Sequence, residues 1–338
     1  MAPAASVPLD GKRVAVLGTG CSAIQAVPAI QPIVAQVDVY QRSPGWTLPK
    51  MDFPYSERSR RLFERFPVLQ RLDRMAIFAS MELLAAGMTR HRWLLAPFRG
   101  LGRRQIRGAI KDDELRARVT PSDEVGCKRV MLTDEWYPTL TKPNVELVTD
   151  PIAAVTPTGL RLADGSDRPA DVIVLATGFK TQGFVAPMEI IGKGGRTLAA
   201  EWEQVPRAYL GMSVPNFPNM FMLYGPNTNM GAGSAIFLLE SQMRHVAQAV
   251  GLLRRTRGRS LEVRPDAQVA FNQEMRGRLA RSVWESGCSN WYVDEQGHDT
   301  SNWPGTMTEF RRRSAKVSLG DYRLDLAPVE QRPLAPPA

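Results

Sequence analysis

The residues of this chain with the clearest chemical meaning by type and spacing are Gly18-Thr19-Gly20-Cys21-Ser22-Ala23. Gly18 allows a tight turn. Gly20 has no Cβ, so backbone at this point can come close to a pyrophosphate. Ala23 stands third, where a small residue lets a following helix pack against a strand. The helix that follows offers free N–H groups to phosphate oxygens, and the Ser22 hydroxyl adds a donor. About 20 residues later, a chain that binds NAD carries a carboxylate for the ribose 2′-hydroxyl. This chain has Gln41-Arg42-Ser43 there. No carboxylate repels a 2′-phosphate, and Arg42 can pair with one bidentately. The turn therefore predicts binding of NADP rather than NAD.

The elements needed to position these residues are legible around them. Lys12 to Gly18 reads as a buried strand, an apolar helical pattern follows Ala23, and Val37 to Tyr40 reads as a second strand. Strand, glycine turn, helix and strand within about 30 residues make a βαβ unit. That context turns a weak G-x-G-x-x-A match into a specific one. Further on, residues 55–118 read as helices broken at Pro67, Pro97 and Gly100. Val145 to Val148 reads as a strand. Thr158-Gly159 and Asp164-Gly165 mark a hairpin, and Val172 to Ala176 is an apolar strand running into Thr177-Gly178-Phe179. Residues 234–257 form a helical pattern that ends in basic residues, as the helix dipole favours.

Composition sets the outer limits. The chain has 338 residues with 43 Lys and Arg against 34 Asp and Glu, a net charge of +9. Hydrophobic residues are 43% and charged residues 23%, which excludes wholesale disorder and small disulfide scaffolds. Residues 55–118 carry 15 Lys or Arg against 7 Asp or Glu, so this segment holds nearly all the excess charge. It reads as a solvated Arg-rich insertion, with contact to a membrane surface or an anionic partner as the competing reading. No nucleic-acid-binding module accompanies the charge. Cys21, Cys127 and Cys288 form no C-x-x-C pair, and His91, His245 and His298 are scattered, so the spacing argues against a metal site. The amino terminus is not a secretory signal. The longest mostly apolar stretch, Met75 to Met88, contains Glu82 and is too short for a span, which needs roughly 20 residues. A soluble cytoplasmic protein is expected.

Six segments together resemble the class B flavoprotein monooxygenases, the family of Baeyer–Villiger and flavin-containing monooxygenases. They are GKRVAVLGTGCSAIQ (11–25), VYQRSPGW (39–46), GCKRVMLTDEWYPTL (126–140), DVIVLATGF (171–179), YGPNTNMGAGS (224–234) and CSNWYVDEQGHDTSNWPGTMTEFRRR (288–313). They occur in the family's order across residues 9–325. The resemblance implies FAD and NADPH as cofactors, O2 and a small organic molecule as substrates, and oxidation through a flavin peroxide. It places Gly18, Thr19, Gly20, Ser22, Ala23 and Gln25 at NADP, with Lys128 joining Arg42 and Ser43 at the 2′-phosphate. It makes Arg129 the catalytic cation at the nicotinamide–flavin junction. Thr177 and Gly178 would lie against both dinucleotides. Asn227, Asn229 and Met230 would precede a helix whose amino end faces the flavin. Read from the residues alone, Lys128-Arg129 is a solvated pair at a strand edge, and the loop before Ser234 is a helix cap. Trp284, Trp291 and Trp303 read as core.

The implied fold is α/β. A Rossmann-like NADP-binding domain (9–150) carries a helical insertion at about 52–120, and residues 151–326 form the carboxyl-terminal half of an FAD-binding domain. Residues 1–8 and 327–338 are expected to be disordered. Relative to the family pattern, the amino-terminal FAD-binding unit with its own glycine turn is missing. The expectation is that this chain alone binds FAD poorly. A displaced start, a companion FAD-binding polypeptide and a non-catalytic NADP-binding remnant are the three explanations. A pyridine nucleotide–disulfide reductase would need a close cysteine pair, which the spacing does not supply.

Overall fold

The computed structural model describes residues 7–50, 52, 54–179, 183–185, 187–203, 205–294, 297 and 299–326. The expected disordered end at 327–338 and most of that at 1–8 lie outside the described residues. Two compact units divide the chain: residues 1–76 with 91–180, and residues 77–90 with 181–338.

The first unit is built on strand β1 (Arg13–Leu17), helix α1 (Ala23–Ile30) and strand β2 (Gln36–Tyr40). The short strand β3 (Thr47–Leu48) leads to helices α2 (Glu57–Arg65), α3 (Pro67–Thr89), α4 (Ala96–Ala109) and α5 (Asp113–Val119). Strand β4 (Met131–Leu132) pairs with β3 and leads through α6 (Trp136–Leu140) to β5 (Val145–Val148). The antiparallel strands β6 (Ile152–Thr156), β7 (Gly159–Leu162) and β8 (Asp167–Pro169) form the expected hairpin with one strand more, and β9 (Val172–Leu175) closes the unit.

Strands β1, β2, β5 and β9 make a parallel sheet in the order β5-β2-β1-β9. β9 pairs in register with β1, so it belongs to this unit, a placement that a boundary at residue 150 does not anticipate. Side chains alternate across the sheet, as strand geometry dictates. Val14, Val16, Val37 and Val39 pack on Ala23 and Val27 of α1, Ile106 of α4 and Trp136 of α6. Ala15 and Tyr40 face Leu160 and Leu162 of β7. Burial of each of these valines contributes about 2 kcal/mol relative to exposure. Asp38, in the middle of β2, is tolerated because Gln36 donates to it at 3.0 Å and Arg168 lies 3.9 Å away. Burial still pushes its carboxyl above the usual range.

The helical insertion differs from expectation in one detail. Pro67 and Pro97 do mark boundaries, but as first-turn residues of α3 and α4, where proline costs no hydrogen bond. Gly100 lies inside α4 and breaks nothing. A helical glycine costs only ~1 kcal/mol. The neighbouring Gly102 sits tightly, because a Cβ there would lie 3.0 Å from the Trp46 ring and 3.1 Å from the Thr47 carbonyl oxygen.

The second unit gathers α7 (Leu198–Glu201), α8 (Ala235–Thr256), α9 (Pro265–Leu279) and α10 (Met307–Arg313) with the antiparallel pair β10 (Gly258–Val263) and β11 (Tyr322–Leu326). Trp303, Phe310, Met307 and Leu238 form its centre, joined by Phe78 and Met81 of α3. The Glu82 carboxylate accepts the Met307 N–H at 2.7 Å and so caps α10. Trp284 and Trp303 are buried, as core tryptophans should be, whereas Trp291 is exposed. No described helix is long and apolar enough to cross a membrane.

Candidate functional site

The register of the parallel sheet decides which loops meet. Leu17 at the end of β1 stands opposite Tyr40 at the end of β2 and Leu175 at the end of β9. Residues 18–23, 41–43 and 176–178 therefore leave the sheet at one edge, beyond its carboxyl ends. β1 has β2 on one side and β9 on the other, and such a strand reversal opens the crevice where doubly wound sheets bind ligands.

The two glycines of the turn have different causes. Gly18 has φ +109°, and a Cβ there would lie 2.6 Å from the Ala176 carbonyl oxygen. Its N–H donates to the Tyr40 carbonyl at 3.0 Å. Gly18 is thus required by the fold. Gly20 has an ordinary φ, and a Cβ there would meet nothing within 4 Å. Neither strain nor packing explains this glycine. Ser22 precedes α1 and makes no side-chain cap, so its exposed hydroxyl is not spent on the helix. In the first turn of α1 the amides of Ile24, Gln25 and Ala26 already donate to the carbonyls of Gly20 and Ser22. Ala23 is buried in the core, as the third position requires, and Thr19 is partly exposed. Gln25 donates to the Cys21 carbonyl at 2.7 Å and braces the turn.

At the end of β2, Gln41 turns inward and donates to the Arg118 carbonyl at 2.8 Å, while Arg42 is exposed. Lys128 arrives from the far side of the helical insertion. Its ammonium donates to Ser43 Oγ at 2.9 Å and to the Pro44 carbonyl at 3.3 Å. Sequence reading missed the third partner, Asp123, whose Oδ2 lies 2.8 Å from Lys128 Nζ. Its only sequence signal is a carboxylate five positions before a lysine. The Asp123 carbonyl accepts the Trp46 indole N–H at 2.7 Å. Arg129 takes no part in these contacts and is exposed, as are Thr177 and Gly178. Gly178 has φ +98°, and Phe179 beside it is 92% exposed. The open cradle at Gly20 and the cationic, hydroxyl-bearing set of Arg42, Ser43 and Lys128 fit a dinucleotide carrying a 2′-phosphate.

Asn229 and Met230 belong to the second unit and are buried there. The backbone of residues 227–229 is stitched to residues 300–303: Asn227 and Asn229 donate to the Thr300 and Ser301 carbonyls, and Trp303 donates to that of Asn229. A side-chain chain runs alongside. Tyr224 donates to Asn229 at 2.8 Å, Asn229 to Asn302 at 2.6 Å, and Asn302 to Asp299 at 2.8 Å. Asp299 also accepts the N–H groups of Ser301 and Asn302, yet burial pushes its carboxyl up to about 6. Met230 packs with Met307 and Trp303. Ser234 caps α8 by accepting the Phe237 N–H, so the cap reading of this loop holds for that residue. His245 is a core histidine, flanked by the Ser314 carbonyl and the Tyr322 hydroxyl and held toward neutrality by burial. His298 lies outside the described residues.

No protein-family model matches the chain. A Baeyer–Villiger monooxygenase of Pseudomonas aeruginosa is 40% identical over 323 residues, covering 95% of this chain and 61% of that protein. A second Baeyer–Villiger monooxygenase, from Streptomyces coelicolor, is 39% identical over 94% of this chain and 61% of its own length. The solved structure of an oxidised steroid monooxygenase bound to NADP matches with a TM-score of 0.80 at 26% identity, over 96% of this chain and 69% of that one. The chain thus spans about three fifths of the length of these curated relatives. Similarity to Baeyer–Villiger and FAD-binding monooxygenases runs through nearly all of its residues.

Proposed function

We propose that this chain provides the NADPH-binding unit and part of the flavin-side unit of an FAD- and NADPH-dependent monooxygenase. The substrates are O2 and a small organic molecule, either a ketone in Baeyer–Villiger-type oxidation or a soft nucleophile in heteroatom oxygenation. The observation that carries the reading is Gly20, a glycine that the fold itself does not need, at the mouth of a helix. When bound, FAD supplies the two-electron relay between NADPH and O2, with one oxygen atom going to the substrate and the other to water.

The chain's own residues bind and orient. Gly20 admits the pyrophosphate, and the Ser22 hydroxyl at the amino end of α1 donates to it. Arg42, Ser43 and Lys128 take the 2′-phosphate. Arg129 supplies positive charge where negative charge builds during oxygen activation. Thr177 and Gly178 let backbone approach the cofactors. The loop at Asn229 and Met230 is held rigid by residues 299–303, which favours a fixed wall over a moving lid.

A second reading has its own support. Among the described residues there is one parallel sheet of more than two strands, and its glycine turn is the one assigned to NADPH. Retention of FAD then needs a companion FAD-binding polypeptide, and the chain alone is an NADP-binding part without turnover. The visible spectrum of the purified chain after incubation with FAD and desalting separates the two. A surviving flavin band supports the first reading. Its loss, with NADPH still bound in a fluorescence titration, supports the second. Absence of both ligands removes both readings.

The Arg-rich insertion adds a proposal of its own. Leu62, Val68, Leu72, Met75 and Ile77 on α2 and α3, with Phe66 between the two helices, are exposed among Arg58, Arg61, Arg65, Arg71 and Arg74. This mixture suits weak attachment to an anionic membrane surface.

A further inference from the structure

The surroundings of Lys128 raise a problem of valence. An ammonium has three donors and no acceptor. Three oxygens already meet it: Asp123 Oδ2 at 2.8 Å, Ser43 Oγ at 2.9 Å and the Pro44 carbonyl at 3.3 Å. A phosphate oxygen arriving at Lys128 is a fourth acceptor, so one of the three must withdraw.

The three are not equally able to do so. The Pro44 carbonyl is backbone. The Ser43 hydroxyl can rotate and donate to the incoming phosphate, so it gains from the exchange. The Asp123 carboxylate only accepts, carries a negative charge, and would stand beside a phosphate dianion. Its main chain is fixed, because the buried Trp46 donates its indole N–H to the Asp123 carbonyl. Its side chain is 30% exposed and has room to swing toward water.

We propose that Asp123 is an internal competitor for the 2′-phosphate. It neutralises Lys128 while the site is free and is displaced when a 2′-phosphorylated nucleotide binds. It thereby sets how strongly the site prefers NADPH to NADH. The proposal rests on the NADP reading of the turn. Charge alone would have assigned Asp123 to holding Lys128 in place, in which case its removal would weaken binding. The full set of acceptors around Lys128 predicts the opposite sign.

The test uses the whole chain and two probes, 2′,5′-ADP and 5′-ADP, titrated calorimetrically at low salt against the wild type, Asp123→Asn, Asp123→Ser and Lys128→Met. The expected result is about tenfold tighter binding of 2′,5′-ADP to the Asp123 variants, with 5′-ADP unchanged. Both substitutions leave the main-chain bond to Trp46 in place, and the serine variant stands in if the asparagine variant fails to fold. Unchanged or weaker binding of 2′,5′-ADP by the Asp123 variants, with Lys128→Met still impaired, overturns the competitor role and leaves the NADP reading standing. A wild type that binds both probes alike, with Lys128→Met indistinguishable from it, overturns the NADP reading and the competitor role together.

Discussion

The ammonium of Lys128 and the hydroxyl of Ser43 lie 2.9 Å apart although 85 residues separate them in the chain. The whole helical insertion lies between them, and the Trp46–Asp123 and Gln41–Arg118 bonds close the same span. The Lys128–Ser43 contact joins the end of β2, where the adenosine ribose of a dinucleotide belongs, to the segment that leads through β4 and α6 back into the sheet at β5.

Lys128 should matter for phosphate and not for the rest of the nucleotide. Lys128→Met is expected to weaken NADPH binding by about 10- to 100-fold, the worth of one charge-assisted contact. NADH binding should change little. Nicotinamide fluorescence titrations with both nucleotides measure this, and an equal loss for the two would contradict the assignment.

The two glycines of the turn should separate stability from binding. Gly18→Ala forces a Cβ into the Ala176 carbonyl at positive φ and is expected to cost about 2–4 kcal/mol of stability. Gly20→Val meets open space, so its thermal melt should stay within a few degrees of the wild type while dinucleotide affinity falls. A Gly20→Val protein that binds NADPH normally would remove the cradle from the proposed site.

Asp299 gives the second unit a pH signature. Its carboxyl is raised from 3.8 to about 6 by burial. The unfolded chain therefore holds the charge more readily than the folded one. The associated stability is complete below about pH 4 and is lost as pH rises through about 6. Chemical denaturation of the wild type and Asp299→Asn from pH 4 to 7.5 should show the difference between them moving against the wild type with rising pH. A constant difference would mean that Asp299 keeps an ordinary pKa.

The Arg-rich helices should respond to salt. The chain is expected to co-sediment with phosphatidylserine vesicles at low ionic strength and to be released at high salt, where screening shortens to a few ångströms. A Leu72→Glu, Met75→Glu double variant should bind less. Vesicles left untouched at both salt concentrations would dispose of the membrane contact.

Much of the first unit could be read from residues alone, because its signals are local. The strand at 13–17, the glycine turn and the strand at 36–40 are contiguous, and the hydrophobic pattern fixes their faces. Lys128 and Ser43 were grouped by family resemblance, and the geometry brings them together. What escaped reading depends on distant chain. Asp123 carries no periodic signal, and its partners become visible only when the insertion folds Trp46 under it. Gly100 looked like a breaker because glycine punctuates loops more often than it sits in helices. Leu175 lies in a wholly apolar strand yet is 72% exposed at the carboxyl end of β9. The chain from Tyr224 to Asp299 links polar residues more than 70 positions apart, which no window of sequence connects.

The close approach of Gly18 to Ala176 bears on how the molecule is made. The turn emerges from the ribosome before the strand end that gives it its shape, which follows 158 residues later. At roughly 5–20 residues per second, that interval is about ten to thirty seconds. During synthesis the nascent turn is therefore an unfinished mould, and nucleotide cannot assist folding of the amino-terminal segment before β9 has been delivered.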